Sequence, residues 1–331
     1  MTNKIEITQN HLEEWDIVKE LEDGQFGKVY KAKHKTKEHL ASLTILHLHE
    51  EDNPEDLCRE LKNIAKLNHE NILTIFNYYH IEESFWLFIE YLSECSLKLV
   101  MTLLGRPFSE IQITYISKSL CKALAYLHDF DIAHCGIKSN SLLLTSDGRI
   151  VLSGVEVSTL NKITNTKKGT YIGSPHWLPP ELLSSKSLIE LMETSVKSDI
   201  WSFGITLIEL AQMFPPNHKM SHFKIMQKIQ KSDPPTLRYP SKFTEGFKSF
   251  IAKCLAKDPL IRPSAKDLIN NAFLDCSFNE NPVKDLYHET IPHNDGEILS
   301  SDDKENENQL NVPNDKPRKT SLTYMTLKGN D

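Results

Sequence analysis

Several absences in this sequence exclude whole classes of protein. The 331-residue chain has no run of the roughly 20 apolar residues that cross a bilayer, and Met1–Glu6 lacks the apolar core of a signal peptide. Its six cysteines form no C-x-x-C pair, which argues against a zinc site and a disulfide framework. A net charge of −7 gives no electrostatic case for nucleic-acid binding. We therefore expect a cytoplasmic protein that binds neither membrane nor nucleic acid.

The hydrophobic pattern changes from strand-like to helical along the chain. Around Gly24 and Gly27, the stretch Trp15–Ala32 alternates apolar and polar residues, which predicts two strands joined by a tight turn. The next segments read as strands at Leu40–Leu46, Ile72–Phe76 and Phe85–Tyr91, and as helices at Pro54–Leu67, Ser109–Phe130 and Ser198–Gln212. This order predicts an α+β fold with a small β-rich lobe and a larger helical lobe.

Both ends of the chain differ from its middle. Residues 1–14 carry no strong period and are interpreted as a lead-in. From Cys276 onward there are 11 acidic and 6 basic residues with few aromatics, a composition that cannot bury enough apolar surface to fold. We predict a disordered tail over 276–331 and a folded domain over 15–275, with lobes of about 15–92 and 93–275. Within the tail, Ser321 follows Arg318–Thr320 and is either a phosphorylation site or an accidental match.

Ordered motifs between Trp15 and Leu274 resemble a protein-kinase domain. They are the glycine turn Gly24–Ala32, the hinge-like Ile89–Leu92, the catalytic-loop-like His134–Ser141, and the later motifs Ile172–Glu181, Lys197–Ile205 and Asp258–Pro263. Within the kinases, Gly204–Gln212 and Lys231–Leu237 are most similar to the sterile-20-like, germinal-centre group, nearest to its Ste20-like and lymphocyte-oriented kinase subfamily. The resemblance implies a bilobal kinase fold with a nucleotide slot between the lobes.

The resemblance also implies which residues transfer the phosphoryl group, and here the chain departs from the family. The strand lysine falls at Thr44, or at Leu43 if the register shifts by one residue. The catalytic aspartate is Gly136, which cannot accept a proton, and the two metal ligands are Ser141 and Gly154. We therefore predict that no residue is catalytic, that no metal ion binds and that the chain is not an enzyme.

Other positions of the catalytic machinery are retained without their partners. Glu60 matches the helix glutamate that would pair with the missing lysine, so it is a solvated charge or has found another cation. Lys138 is a surface lysine or a phosphate ligand. Thr170 matches an activation-segment phosphorylation site, but the arginine that would receive its phosphate is Cys135. Glu22 replaces the first glycine of the phosphate-facing loop.

The scaffold positions implied by the resemblance are retained. His134 matches the hydrophobic spine, Glu181 and Arg262 match an ion pair, and Asp199 matches the aspartate that holds the catalytic loop. A vestigial nucleotide slot is assigned to Gly24, Gly27, Val29, Ser42, Ile89, Glu90, Leu92 and Leu143. No cofactor is expected, although the apolar slot leaves weak, metal-independent ATP binding open.

These observations lead to a main hypothesis and two alternatives. The main one is a catalytically inactive kinase-fold protein that acts as a binding, scaffold or allosteric module. Its protein partner would be an active sterile-20-like kinase or a substrate of one, docked through Tyr171–Trp177 and Asn217–Ile229, with a homodimer or a heterodimer both open. The alternatives are a weakly active or unconventional serine/threonine kinase and a decaying duplicate without selected function.

Overall fold

The computed structural model describes residues 14–24, 27–47, 54–81, 84–92, 95–155, 175–183 and 188–290. Its first lobe is a five-stranded antiparallel sheet in the order β1-β2-β3-β5-β4. The strands are β1 (Trp15–Gly24), β2 (Gly27–His34), β3 (Leu40–His47), β4 (Ile75–Ile81) and β5 (Ser84–Glu90), and helix α1 (Pro54–Ile64) follows β3.

Alternation along the strands decides which side chains form the core of this lobe. In β3, Ala41 and Leu43 are fully buried, and Leu43 pairs across the sheet with Phe88 of β5. Trp15 stacks on Phe88 with ring centroids 4.8 Å apart. Because side chains of one strand point alternately to opposite faces, this aromatic cluster covers one face of the sheet, and the other face is left for the second lobe.

The second lobe is helical. It contains α2 (Leu97–Leu104), α3 (Glu110–Asp129), the hairpin of β6 (Leu142–Leu144) and β7 (Ile150–Leu152), and then α4 (Leu188–Gln212), α5 (His222–Lys231), α6 (Glu245–Cys254), α7 (Ala265–Ile269) and α8 (Leu286–Thr290). Every residue of α4 from Ser198 to Ala211 is buried. A helix that is buried on all sides forms the centre of its lobe, and α4 therefore positions the segments around it.

The bilobal α+β architecture predicted from the sequence is confirmed. The predicted helix from Ser109 is α3, where Ser109 caps the helix and forms a capping box with Gln112. The strand predicted over Ile72–Phe76 is wrong at its start, because Ile72 forms a bridge with Leu152 of the second lobe instead. Among the described residues, no helix is long and apolar enough to cross a membrane.

The predicted domain boundary at residue 275 needs correction. Residues 276–290, assigned to a disordered tail, pack against the second lobe, with Val283 fully buried and Leu286 3% exposed. The side chain of Asn281 donates to the carbonyl of Gly148, at 2.8 Å, and to the hydroxyl of Tyr115, at 3.0 Å. The acidic composition of the whole tail hid these few anchoring residues. We call residues 276–290 the C-terminal strap.

The β6–β7 turn is shaped to receive this strap. Gly148 has a φ of +83°, and a Cβ atom there would lie 2.5 Å from Asn281 Nδ2 and 2.8 Å from the Cα of Lys284. Only glycine combines this left-handed conformation with so close an approach. The strap is thus part of the folded unit.

The Asn281→Ala variant should lower the free energy of unfolding by about 1–3 kcal/mol, because it removes two part-buried hydrogen bonds, to the carbonyl of Gly148 and the hydroxyl of Tyr115. Denaturant unfolding of the full chain measures this change. The matched control is Asn270→Ala, which removes one exposed bond to the carbonyl of Lys266. Equal, small effects of both substitutions would contradict the role assigned to the strap.

Candidate functional site: the catalytic-loop region

The segment His134–Ser141 is held by a buried carboxylate of α4. Asp199, which is 0% exposed, accepts hydrogen bonds from the backbone N–H groups of His134 and Cys135, both at 2.7 Å. His128 of α3 bonds the same carboxylate at 2.9 Å. Burial alone raises the pKa of the Asp199 carboxyl, but the bond and charge of His128, with those of His134, hold that pKa below its ordinary value. The carboxylate therefore stays ionised and fixes the start of the loop.

His134 links this anchor to the segment after β7. It is 1% exposed, its Nε2 donates to the carbonyl of Ser153 at 2.9 Å, and its Nδ1 accepts from the N–H of Gly136 at 3.2 Å. Burial lowers the pKa of His134, so the ring is neutral near pH 7. A neutral ring that donates from one nitrogen and accepts at the other satisfies both contacts.

The middle of the loop is held by a second buried carboxylate. Glu209, 2% exposed, accepts from the N–H and hydroxyl of Ser139, at 3.0 and 2.6 Å, and from the indole N–H of Trp177 at 3.3 Å. Burial raises the pKa of the Glu209 carboxyl, and the bonds from Ser139 oppose that rise. Two side chains of α4, Asp199 and Glu209, thus position the loop backbone at its start and at Ser139.

Lys138 lies between these anchors. Its side chain is half-buried, and burial lowers the pKa of its ammonium group while the charge of Glu209 opposes that shift. A cation in this position interacts more strongly with a nearby negative charge than a cation in water does, because the surroundings screen it less. Lys138 is thus a half-buried lysine of the loop, and both interpretations of it, as a surface lysine and as a phosphate ligand, stay predictions.

Ser141 and Gly154 occupy the positions where kinases hold magnesium. The Ser141 hydroxyl bonds the carbonyl oxygens of Gly136 and Lys138, both at 2.9 Å. Gly154, with a φ of +95°, lies beside His134 and carries no side chain. Across the described residues there is no group of three or more carboxylate, thiol or imidazole side chains that could hold a metal ion. A hydroxyl engaged with two carbonyls and a glycine do not fit a magnesium ion.

Cys135 and Gly136 differ in backbone and in chemistry. Cys135 has a φ of +58°, a left-handed conformation that is strained for a residue with a Cβ, and its backbone bond to Asp199 holds it there. Its Sγ lies 3.8 Å from the carbonyl oxygen of Ala133. Gly136 is exposed and has no side chain to accept a proton. The loop therefore keeps its backbone path without a carboxylate at its tip.

The nucleotide-slot residues of the first lobe share one face of the sheet. Val29 of β2 pairs with Thr44 of β3, and Ser42, two residues earlier on β3, pairs with Ile89 of β5. Cross-strand partners face the same side, so these four side chains line the face away from the aromatic cluster. Leu43 points the other way and is fully buried. This register assigns the strand-lysine position to Thr44.

The remaining slot residues lie in three places: at the hinge between the lobes, in β6 and at the end of the β1–β2 hairpin. The carboxylate of Glu90 lies 3.7 Å from the guanidinium of Arg149, and the backbone N–H of Glu90 donates to the carbonyl of Thr74 at 2.8 Å. Leu143 forms a bridge with Ser96 at the start of α2. Gly24 pairs with Gly27 at the end of the β1–β2 hairpin, and Leu92 is half-buried just after β5.

A buried ion pair anchors the far side of the second lobe. Arg262 forms two hydrogen bonds with Glu181, at 2.6 and 2.7 Å. The remaining donors of Arg262 reach the backbone carbonyls of Ala256, Lys197 and Lys257. Its guanidinium also lies 5.1 Å from the ring centroid of Trp201. Because every donor has a partner, this pair satisfies the condition under which a buried charge pair is tolerated.

Several predicted site residues lie outside the described residues. These are Thr170, Ser321 and the side chain of Glu60, and the proposed docking residues 171–174. Conversely, the sequence analysis missed His128, Ser139 and Glu209. The spacing of ten residues between Asp199 and Glu209 falls about 80° short of three full helical turns, so it gave no sign that both carboxylates face the loop.

Comparison with known proteins gives the class of this chain. Residues 15–274 match the model of the protein kinase domain family. The chain is 35% identical over 317 residues to serine/threonine-protein kinase 10-A of Xenopus laevis, covering 96% of this chain and 33% of that protein. It is 36% identical over 277 residues to serine/threonine-protein kinase 10 of Homo sapiens, covering 84% of this chain and 28% of that protein.

The chain therefore belongs to the protein kinase family, and its relatives include proteins named serine/threonine-protein kinase 10. It spans about a third of the length of the curated relatives that it matches. The prediction that the chain is not an enzyme is corrected by these comparisons, because relatives similar over most of its length are named as serine/threonine-protein kinases. The sequence argument had weighed the altered positions alone.

The Arg262→Ala variant should lower the free energy of unfolding by about 3–5 kcal/mol, since it leaves the Glu181 carboxylate without its cation. The Lys266→Ala variant is the matched control. Lys266 pairs with Asp129 at 2.6 Å, but its side chain is 64% exposed, and its loss should change that free energy by less than about 1 kcal/mol. Chemical denaturation of both variants measures the contrast, and similar values for the two would contradict this account of the ion pair.

Proposed function

We propose that this protein is a weakly active, unconventional serine/threonine protein kinase. The observation that carries the proposal is the pair of 2.7 Å hydrogen bonds by which Asp199 fixes the backbone of His134 and Cys135. They keep the catalytic loop in place beneath the nucleotide slot. The names of the relatives, which are serine/threonine-protein kinases, support the reaction class.

Lys138 is the proposed catalytic group. Phosphoryl transfer needs positive charge where negative charge builds up on the phosphoryl oxygens. Lys138 is held partly out of water, and its backbone N–H donates to the Ser141 hydroxyl at 3.0 Å. In this proposal its ammonium contacts the transferred phosphoryl group, as the resemblance to the family implies.

The absence of a side chain at Gly136 sets the expected rate. A positioned general base contributes about 10²–10⁴-fold to a rate, and this loop offers none at that position. The substrate hydroxyl then loses its proton to water. Nucleotide binding in the proposal is weak and independent of metal, because the slot face of Val29, Thr44, Ser42 and Ile89 carries no charged side chain to hold phosphates.

Purified protein should transfer radiolabelled phosphate from ATP to a serine/threonine substrate slowly, and Lys138→Ala should reduce the rate by about 100-fold, as the loss of one transition-state contact does. Lys122→Ala, which changes an exposed lysine paired with Glu70, is the matched control and should leave the rate unchanged. No transfer by the unmodified protein, or equal transfer by Lys138→Ala, would contradict the proposal; the second result identifies a contaminating kinase.

We also propose that the second lobe docks a protein partner, which is an active sterile-20-like kinase or a substrate of one. The complex is proposed to form in the cytoplasm, as a homodimer or a heterodimer. A specific contact favours this docking: the rings of His176 and His222 lie 6.5 Å apart, which joins the segment before Glu181 to α5. The surface of α5 is therefore continuous with the segment that would face a substrate.

Capture with the full chain as bait tests the docking proposal. Wild-type protein should retain a sterile-20-like kinase or its substrate, and Phe223→Asp, which changes an exposed residue of α5, should lose it. Leu260→Asp, at an 84% exposed residue on another face, is the matched control. Equal capture by the two variants would place the partner elsewhere.

A further inference from the structure

One surface of the second lobe concentrates positive charge and exposed aromatic rings. Between residues 213 and 232 the sequence has four lysines, two histidines and no acidic residue, although the whole chain carries a net charge of −7. Phe214 is 44% exposed and Phe223 is 56% exposed. We call this the basic surface and define it by Lys98, Phe214, Lys219, Phe223, Lys224 and Lys228.

Contacts between elements join these residues into one surface. The ammonium of Lys98, from α2, lies 4.7 Å from the ring centroid of Phe214 and donates to the carbonyl of Met213 at 3.3 Å. Lys228 of α5 donates to the side-chain oxygen of Asn217 at 2.9 Å. Lys224 lies one helical turn before Lys228, so the two point the same way. The partner of Lys228 is an amide, so its positive charge is not neutralised by that bond.

The C-terminal strap ends beside this surface. Thr290, the last described residue, is 7% exposed, and its hydroxyl oxygen lies 3.9 Å from the Sγ of Cys95. Lys98 follows Cys95 by three residues, in the first turn of α2. Val283 and Leu286 fix the strap in the core. The chain that follows Thr290 therefore starts next to Lys98 and Phe214.

The next part of the sequence is strongly acidic. Residues 295–309 contain one lysine, Lys304, and six carboxylates, at Asp295, Glu297, Asp302, Asp303, Glu305 and Glu307. An extended chain covers about 3.3–3.6 Å per residue. The five residues from Thr290 to Asp295 thus reach about 17 Å, and the whole segment has length to spare for crossing the basic surface.

We propose that the acidic segment 295–309 binds the basic surface of its own molecule. The carboxylates pair with Lys219, Lys224 and Lys228, and the exposed rings of Phe214 and Phe223 lie beneath the segment. Bound in this way, the segment covers the surface of α5 that a protein partner would use. This contact does not depend on phosphoryl transfer, and its test does not measure transfer.

A second basic region of the described chain is less suited to the segment. It is a cleft of about 280 Å³ that includes Lys118, Lys122 and Arg149. Lys122 already pairs with Glu70 at 3.1 Å, and Arg149 lies 3.7 Å from Glu90. These carboxylates offset part of the cleft's charge, so the basic surface attracts the acidic segment more strongly.

Carbodiimide crosslinking of the full chain, followed by peptide mapping, tests the proposal. The reagent joins a carboxylate to a lysine that touches it. Crosslinks are expected between residues 295–307 and Lys219, Lys224 or Lys228, and they should disappear at about 1 M salt, where charges are screened within about 3 Å. A mixture of isotope-labelled and unlabelled protein should give crosslinks within one molecule only.

Charge-reversal variants make the test specific. The pair Lys224→Glu and Lys228→Glu should reduce binding of the segment, seen as at least a fivefold loss of its crosslinks to Lys219. Adding Asp302→Lys with Asp303→Lys should restore part of these crosslinks, because the reversed charges attract each other again. The control pair, Lys118→Glu with Lys122→Glu, should leave the crosslinks to Lys219 unchanged. Three results would overturn the proposal: crosslinks to the second basic region instead, crosslinks between labelled and unlabelled molecules, or no crosslinks at all.

Discussion

The arrangement of the second lobe depends on the buried carboxylate of Asp199. It is completely enclosed, and three donors, two from the loop backbone and one from His128, satisfy it. A buried carboxylate without such partners would be strongly destabilising. Because α4 is buried on all sides from Ser198 to Ala211, this one group ties the loop to the centre of the lobe. The left-handed backbone at Cys135 persists for the same reason.

The structure separates the support of a kinase site from its chemistry. Glu209 supports Ser139 from the same helix that carries Asp199, and the pair of Glu181 and Arg262 supports the segment before that helix. These contacts do not involve Thr44, Gly136, Ser141 or Gly154, so they persist although those four positions depart from the family pattern. Membership of the kinase family follows from the match over residues 15–274, and in the proposed function the rate of transfer depends on those four positions.

The sequence predicted the fold well because hydrophobic periodicity and ordered motifs report on burial. The helical pattern of Ser109–Phe130 predicted α3, and the resemblance to kinases implied Asp199 and Arg262 as scaffold residues. The sequence analysis missed the strap, since the anchors Asn281 and Val283 stand in a stretch whose composition is that of an unfolded tail. It also missed Glu209, because a carboxylate within an apolar helix gives no sign of which segment it faces. Judging activity from the altered positions alone led to the wrong conclusion about the enzyme.

The central claim of the proposal is that the loop keeps a frame able to support transfer, although the proton acceptor is missing at Gly136. The most direct measurement is the rate of phosphate transfer by Gly136→Asp, compared with Gly136→Asn, which has nearly the same shape but accepts no proton. Gly136 is exposed and lies outside the left-handed region, so both side chains fit. The account predicts that Gly136→Asp is faster than the unmodified protein and than Gly136→Asn by about 10²-fold. Equal rates for the two folded variants would contradict it.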